Sequence, residues 1–283
     1  MILSHVSLLR LPYFWDEAGY YIPAARDLLS GSLIPYSTPS NAHPPLVLAW
    51  IVLAWKIFGQ SPVVTRCAML LLAGFSLTGL FRLAKSVSNQ TVAIATTALT
   101  ALYPVLFAQS SLAQVDLPAA GLTFWALEAY VRRRGWAMAL WFSLAALAKE
   151  TAILIPLALL AWEILRRMAR PTVHGFRREN WFLLVPLLPL AGWYGYHFAH
   201  TGFVFGNPEF LRYNLQDNFH PLRIFLALML RLWQTVGYLN LYVLTLACLI
   251  AMNYPALAGH DNATKGEDST NEIRPRIDLN VQF

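Results

Sequence analysis

Charge is what this chain has least of. Only 13% of its 283 residues are charged, and no Asp or Glu occurs between Asp27 and Asp116. With 57% hydrophobic residues and ten Trp, so little charge excludes an ordinary soluble domain and indicates an integral membrane protein. Cysteine is nearly absent too: Cys67 and Cys248, both in apolar stretches, provide neither a disulfide framework nor a thiolate metal site. Glycine-rich phosphate loops, dinucleotide-binding fingerprints and zinc-protease spacings are missing, which counts against a nucleotide-driven enzyme. The net charge of +6 does not point to nucleic acid, because nearly half of the 21 Lys and Arg fall in three short clusters between apolar runs. Such clusters are topology signals.

The apolar runs lie at 45–58, 62–81, 91–112, 117–131, 136–148, 151–165, 181–199 and 222–258. The clusters Arg82/Lys85, Arg132–Arg134 and Arg166/Arg167/Arg170/Arg177/Arg178 are expected on the cytoplasmic side. It follows that 62–81 ends inside, 91–112 returns outside, and 117–131 ends inside again. Asp116 is then extracytoplasmic. For Asp16 to share that side, the short run 45–58 must lie at the interface or re-enter rather than cross. Two crossings within 136–165 make Lys149-Glu150 an outer hairpin tip.

Acids this rare are placed, since an ionisable group at bilayer depth costs about 2.5–3.5 kcal/mol and marks function more often than decoration. Asp16 and Glu17 stand together in a polar loop, Trp15-Asp16-Glu17-Ala18-Gly19-Tyr20-Tyr21, and Asp116 opens a helix. Between them come Asn41-Ala42-His43-Pro44-Pro45-Leu46, where two prolines begin an apolar helix, and Phe58-Gly59-Gln60-Ser61 followed by Arg66 in a helical first turn.

The ordered set of the Asp16-Glu17 pair, Tyr20, Ala24-Ala25-Arg26, His43-Pro44-Pro45-Leu46, Phe58-Gly59-Gln60-Ser61 with Arg66, Asp116, and Leu147-Ala148-Lys149-Glu150 resembles a known group. It is similar to the dolichyl-phosphate-mannose protein mannosyltransferases and aminoarabinose transferases, polyprenyl-phosphate-sugar-dependent glycosyltransferases of the GT-C fold. The resemblance covers roughly residues 13–200. Ala42-His43 ahead of the prolines matches the protein-mannosyltransferase-like members, whereas aminoarabinose transferases place Glu-Lys there. An all-α, polytopic membrane protein is implied, with a GT-C-like transmembrane core and interfacial helices in the first extracytoplasmic loop. Residues 1–258 are expected to form this core, incomplete relative to longer family members. Within it, 13–60 would be the first extracytoplasmic loop, 61–200 transmembrane helices, 200–221 an extracytoplasmic loop and 222–258 one or two further membrane helices. Residues 259–283 read as a disordered polar tail. The implied activity is inverting transfer of a sugar from a polyprenyl-phosphate donor to a hydroxyl acceptor on a glycan, lipid or protein. Its site would face the exterior of a plasma membrane, the periplasm in a bacterium.

That chemistry needs a base for the acceptor proton and cations for the departing phosphate. Asp16 is the expected base, with Glu17 and Asp116 beside it in the catalytic set. His43, Arg66, Lys149 and Arg26 are candidates to meet the phosphate, with Tyr20 and Glu150 completing the substrate-binding set. Metal ligands are not identifiable; no cofactor is certain, and a divalent metal is allowed for. The expected partners are the lipid-linked donor, the hydroxyl acceptor and membrane lipids, without nucleic acid. Structural readings compete at each position. Asp16 and Asp116 could cap helices, Arg66 and Lys149 could anchor at the interface, and His43 could stabilise its turn. A transporter or flippase would also carry isolated intramembrane charges, but the internal repeat expected of one is not visible.

Overall fold

The computed structural model describes residues 3–169, 178–209, 212, 219–234, 243 and 246. Among these, all regular structure is helical. The chain divides into two compact units, residues 1–214 and 215–283. Helices of the first unit are α1 (Ile22–Leu29), α2 (Leu46–Phe58), α3 (Pro62–Val87), α4 (Gln90–Leu102), α5 (Pro104–Gln109), α6 (Asp116–Val131), α7 (Gly135–Ala148), α8 (Leu154–Ala169) and α9 (Leu187–Thr201). In the second unit the helix α10 runs from Pro221 to Trp233. Parts of the expected 200–221 loop, most of 222–258 and the whole 259–283 tail lie outside the described residues.

Local chemistry sets the boundaries. Ser61 caps α3 by accepting from the Val64 amide, and Pro62 occupies its first turn. Asn89 caps α4 in the same way through Val92. Where sequence periodicity suggests one span over 91–112, the structure has two helices. Tyr103, held extended at ψ 126° by the ring of Pro104, separates α4 from α5. The expected 62–81 run continues as helix through Arg82 and Lys85 to Val87. The 181–199 run begins as tight turns over Arg178–Leu184 and becomes regular only after Pro186. Two stretches, Pro62–Val87 and Glu179–Thr201, have the length and composition to cross a membrane, and α2, α4 and α7 are shorter apolar helices.

The centre of the first unit is a close helix pair. A Cβ on Gly121 of α6 would lie 1.8 Å from the Ser76 hydroxyl of α3, and one on Gly79 would lie 2.6 Å from the Trp125 ring. Only bare backbone permits that approach. α4 packs on α3 and α7 on α6. The principal hydrophobic cluster joins Tyr21, Ile22, Ala24 and Ala25 to Val47, Leu48, Ile51, Val52 and Trp55 of α2, with Met69 and the α7 end at Ala145 and Ala148. The first 60 residues are therefore clamped onto the ends of α3, α6 and α7. This brings the rare polar side chains together.

Candidate active site

The chain is helical from Glu17 to Leu29 but begins irregularly. Residues Glu17–Tyr21 form a wide π-turn before α1 takes over at Ile22. The wide turn leaves Glu17 and Tyr21 both buried, whereas Asp16 stays exposed. Trp15, just before, is held in the left-handed region at φ 51° with 80% of its surface exposed. Asp16 makes no side-chain cap bond, so both of its oxygens are available.

Glu17 is 1% exposed and its carboxylate accepts from both Arg66 terminal nitrogens, at 3.3 and 3.2 Å, and from the Ala113 amide at 2.7 Å. Arg66, also 1% exposed, donates further to the carbonyls of Ser111 at 3.1 Å and Pro12 at 3.1 Å. Arg66 was a candidate for the phosphate and Glu17 for the catalytic set; the structure spends their side chains on each other. They tie the amino-terminal segment to α3 and to the chain ahead of α6. Nearby, Tyr13 and Trp55 share the Thr65 hydroxyl, at 2.7 and 2.8 Å.

Asp116 is the first residue of α6 and is exposed; its carboxylate accepts from the Lys149 ammonium, placed where α7 ends and the chain turns extended. One residue on, Glu150 accepts from His43 Nδ1 at 2.8 Å. The loop carrying His43 is held from behind. Ala42, left-handed at φ 58°, gives its carbonyl to Trp193 Nε1 at 2.8 Å, and the Ser40 hydroxyl meets His197 Nε2 at 2.8 Å. His197 Nδ1 donates to the Phe203 carbonyl at 2.8 Å, which leaves Nε2 to accept from Ser40.

Tyr21 links these groups. Burial pushes its hydroxyl well above the ordinary tyrosine range, and the charges of Asp116, Asp16 and Glu150 add to the shift. Sequence reading had not singled out Tyr21; its adjacency to Tyr20 in the polar loop was the available signal. Tyr20 is raised to about 12, first by burial and then by Glu150, with the Asn41 backbone bond opposing. For Glu150 burial alone would raise the carboxyl, but the His43 hydrogen bond and charge, with Lys149 adjacent, hold it below the usual range. The Tyr21 ring meets that of Tyr20 edge-on at 5.2 Å and stacks 6.5 Å from that of His43, beside the adjacent Glu150 and Lys149 pairs, while Arg26 is exposed on α1. Among the described residues no group of three His, Cys, Asp or Glu side chains is placed to hold a metal ion.

Comparison with known proteins follows this arrangement. The structure is similar to ArnT from Cupriavidus metallidurans in its apo state and bound to undecaprenyl phosphate, each with a TM-score of 0.58 and 20% identity. Each match covers 75% of this chain and 41% of that one, so the chain spans less than half the length of the solved relatives. The likeness establishes a GT-C fold. A search of curated proteins gives no match. The model of the dolichyl-phosphate-mannose-protein mannosyltransferase family matches residues 42–193, from the His43 loop to α9, and the chain belongs to that family.

Proposed function

We propose that this chain forms the catalytic part of a membrane glycosyltransferase that moves a sugar, with inversion, from a polyprenyl-phosphate donor to a hydroxyl acceptor at the extracytoplasmic face. The observation that carries this reading is the side-by-side pairing of Lys149 with Asp116 and of His43 with Glu150, with the Tyr21 ring stacked 6.5 Å from that of His43 and Asp16 exposed at the head of the turn that carries Tyr21. Two acid–cation pairs from distant parts of a chain poor in acids have no structural need to lie side by side.

In this reading the acceptor oxygen attacks the anomeric carbon while Asp16 takes its proton. The bond from that carbon to the phosphate oxygen breaks, and the electron pair leaves with the lipid phosphate. Asp16 suits the base because it is exposed and engaged in no cap bond, unlike its buried neighbour. Lys149 and His43 meet the phosphate charge. Their partners Asp116 and Glu150 orient them and keep them in place before the donor arrives. Arg66 is not part of this step; Arg26 and Tyr20 are left to contact the donor or acceptor. A bound ArnT relative carries undecaprenyl phosphate, which supports a lipid phosphate as the leaving group here. The cationic ends of α3, α6 and α8 favour the outward orientation of the site.

The test uses the chain in membranes with a radiolabelled polyprenyl-phosphate sugar. Label should leave the lipid for a hydroxyl-bearing acceptor with wild-type protein and stay on the lipid with Asp16→Asn. Retention of label by both, with folded protein verified, refutes the assignment.

A further inference from the structure

The buried face of α9 carries polar atoms that its packing alone does not require. Leu190, Trp193 and His197 make up that face. Trp193 and His197, four residues apart and so neighbours on the helix, both reach the turn just ahead of His43. Trp193 Nε1 donates to the Ala42 carbonyl and His197 Nε2 accepts from the Ser40 hydroxyl, each at 2.8 Å. The Ser40 oxygen accepts in turn from the Ala42 amide at 3.2 Å. His197 is wholly buried with both ring nitrogens in use, since Nδ1 donates to the Phe203 carbonyl at 2.8 Å. Asn207 Nδ2 closes the same junction by donating to the Ser40 carbonyl at 2.9 Å.

These bonds converge on a turn that its own residues would not hold. Ala42 is left-handed at φ 58°, a conformation disfavoured for a residue with a Cβ, so its surroundings must impose it. On the other side Pro44, fully buried, confines the backbone of His43 to extended conformations. With both flanks fixed, the imidazole retains only its side-chain torsions, and its Nδ1 meets Glu150 at 2.8 Å. The α9 bonds end on Ser40 and Ala42, so they act on the imidazole through the backbone.

We propose that Trp193 and His197 are positioning residues for His43, acting through Ala42 and Ser40. The inference rests on the reading of His43 as a group that meets the lipid phosphate. A side chain already held in its bound geometry loses less freedom when the ligand arrives, so an imidazole released from α9 would hold the phosphate more weakly.

The test reads binding of undecaprenyl phosphate, the ligand carried by an ArnT relative, to the full chain in nanodiscs. Ser40→Ala, which removes one hydroxyl from a partly exposed turn, and His197→Leu should each weaken binding about fivefold. His197→Gln, whose amide oxygen can stand where Nε2 accepts, should recover most of the loss. In a His43→Gln background Ser40→Ala should have no further effect, because a residue that acts through an imidazole has nothing to act on once the ring is gone. A second readout needs no ligand. In protein carrying isotope-labelled histidine, the His43 Nδ1 signal, identified by its loss in His43→Gln, should move on Ser40→Ala in the same direction as on Glu150→Gln. Equal weakening with and without His43, or a His43 signal that Ser40→Ala leaves in place, overturns the assignment. If undecaprenyl phosphate fails to bind wild type while the signal still moves, the lipid-phosphate reading falls and the hold of α9 on His43 is supported.

Discussion

Asp16 and Glu17 are adjacent in sequence and opposite in fate. Glu17 lies in a closed knot, with Arg66, the Ala113 amide and two backbone carbonyls accounting for the charges. Asp16 is exposed at the head of the turn that carries Tyr21, and in the open cluster of His43, Glu150, Lys149 and Asp116 each cation has one carboxylate partner and remains partly exposed: Lys149 at 26% and His43 at 17%. Enclosure makes the first pair structural. Incomplete enclosure leaves the second group able to exchange partners with a ligand. The difference arises from adjacency in a helical turn: neighbouring residues point to different faces, so Glu17 goes inward with Tyr21, four residues on, and Asp16 stays outside.

The sharpest way to break the comparison is to exchange the two carboxylates' consequences. Asp16→Asn should lower transfer by about 10² to 10⁴ with little change in unfolding temperature, since the residue caps nothing. A variant with near wild-type turnover at saturating substrates removes Asp16 from the chemistry. At the knot the expectation reverses: Glu17→Gln or Arg66→Gln should cost about 3–5 kcal/mol of stability by leaving a buried charge unpaired. The double replacement Glu17→Leu/Arg66→Met should cost less than the sum of the singles, measured by denaturant unfolding in detergent. Additive losses would mean the two do not form a unit.

Smaller effects belong to the open cluster. Lys149→Gln should raise the donor KM roughly tenfold with a fall in kcat, because one charge-assisted bond to the phosphate is lost. Unchanged constants in folded protein would make Lys149 an interface anchor. The smallest effect concerns pH. Glu150 is held below its ordinary value of 4.5, so its pairing with His43 contributes fully above about pH 4.5 and is lost as pH falls through the depressed value. Wild type should therefore lose stability more steeply than Glu150→Gln below about pH 4.5, in thermal scans across that range. Parallel profiles would show that the pair does not couple to folding.

Much of this was legible in the chain. Apolar runs, proline starts and the breaker cluster before Arg66 located α2, α3, α6 and α7 because those signals are local. The break at Tyr103-Pro104 was equally local but was hidden inside a run of uniform hydrophobicity. Lys149 and Asp116 could be placed on one face because cationic clusters fix which helix ends share a side. Arg66 could not be read correctly: position in a helical first turn is compatible with an outward anchor or an inward one. Its burial depends on carbonyls from residues 11–12 and 111, which no spacing rule brings near. Tyr21 was overlooked for a related reason: it shares a helix face with Glu17, four residues earlier, and nothing local said that Glu17 faces inward.

Ala42 shows how stability and function pull apart at this site. Glycine at that left-handed position would adopt φ 58° without strain, and Ala42→Gly is the kind of exchange that raises a melting temperature. The methyl group, however, restricts the hinge between Ser40 and His43 to fewer conformations, and the bonds from Trp193 and His197 then select one of them. A more thermostable Ala42→Gly chain would aim its imidazole less narrowly at Glu150. Robustness gained at residue 42 would thus come with a less narrowly held His43–Glu150 pair.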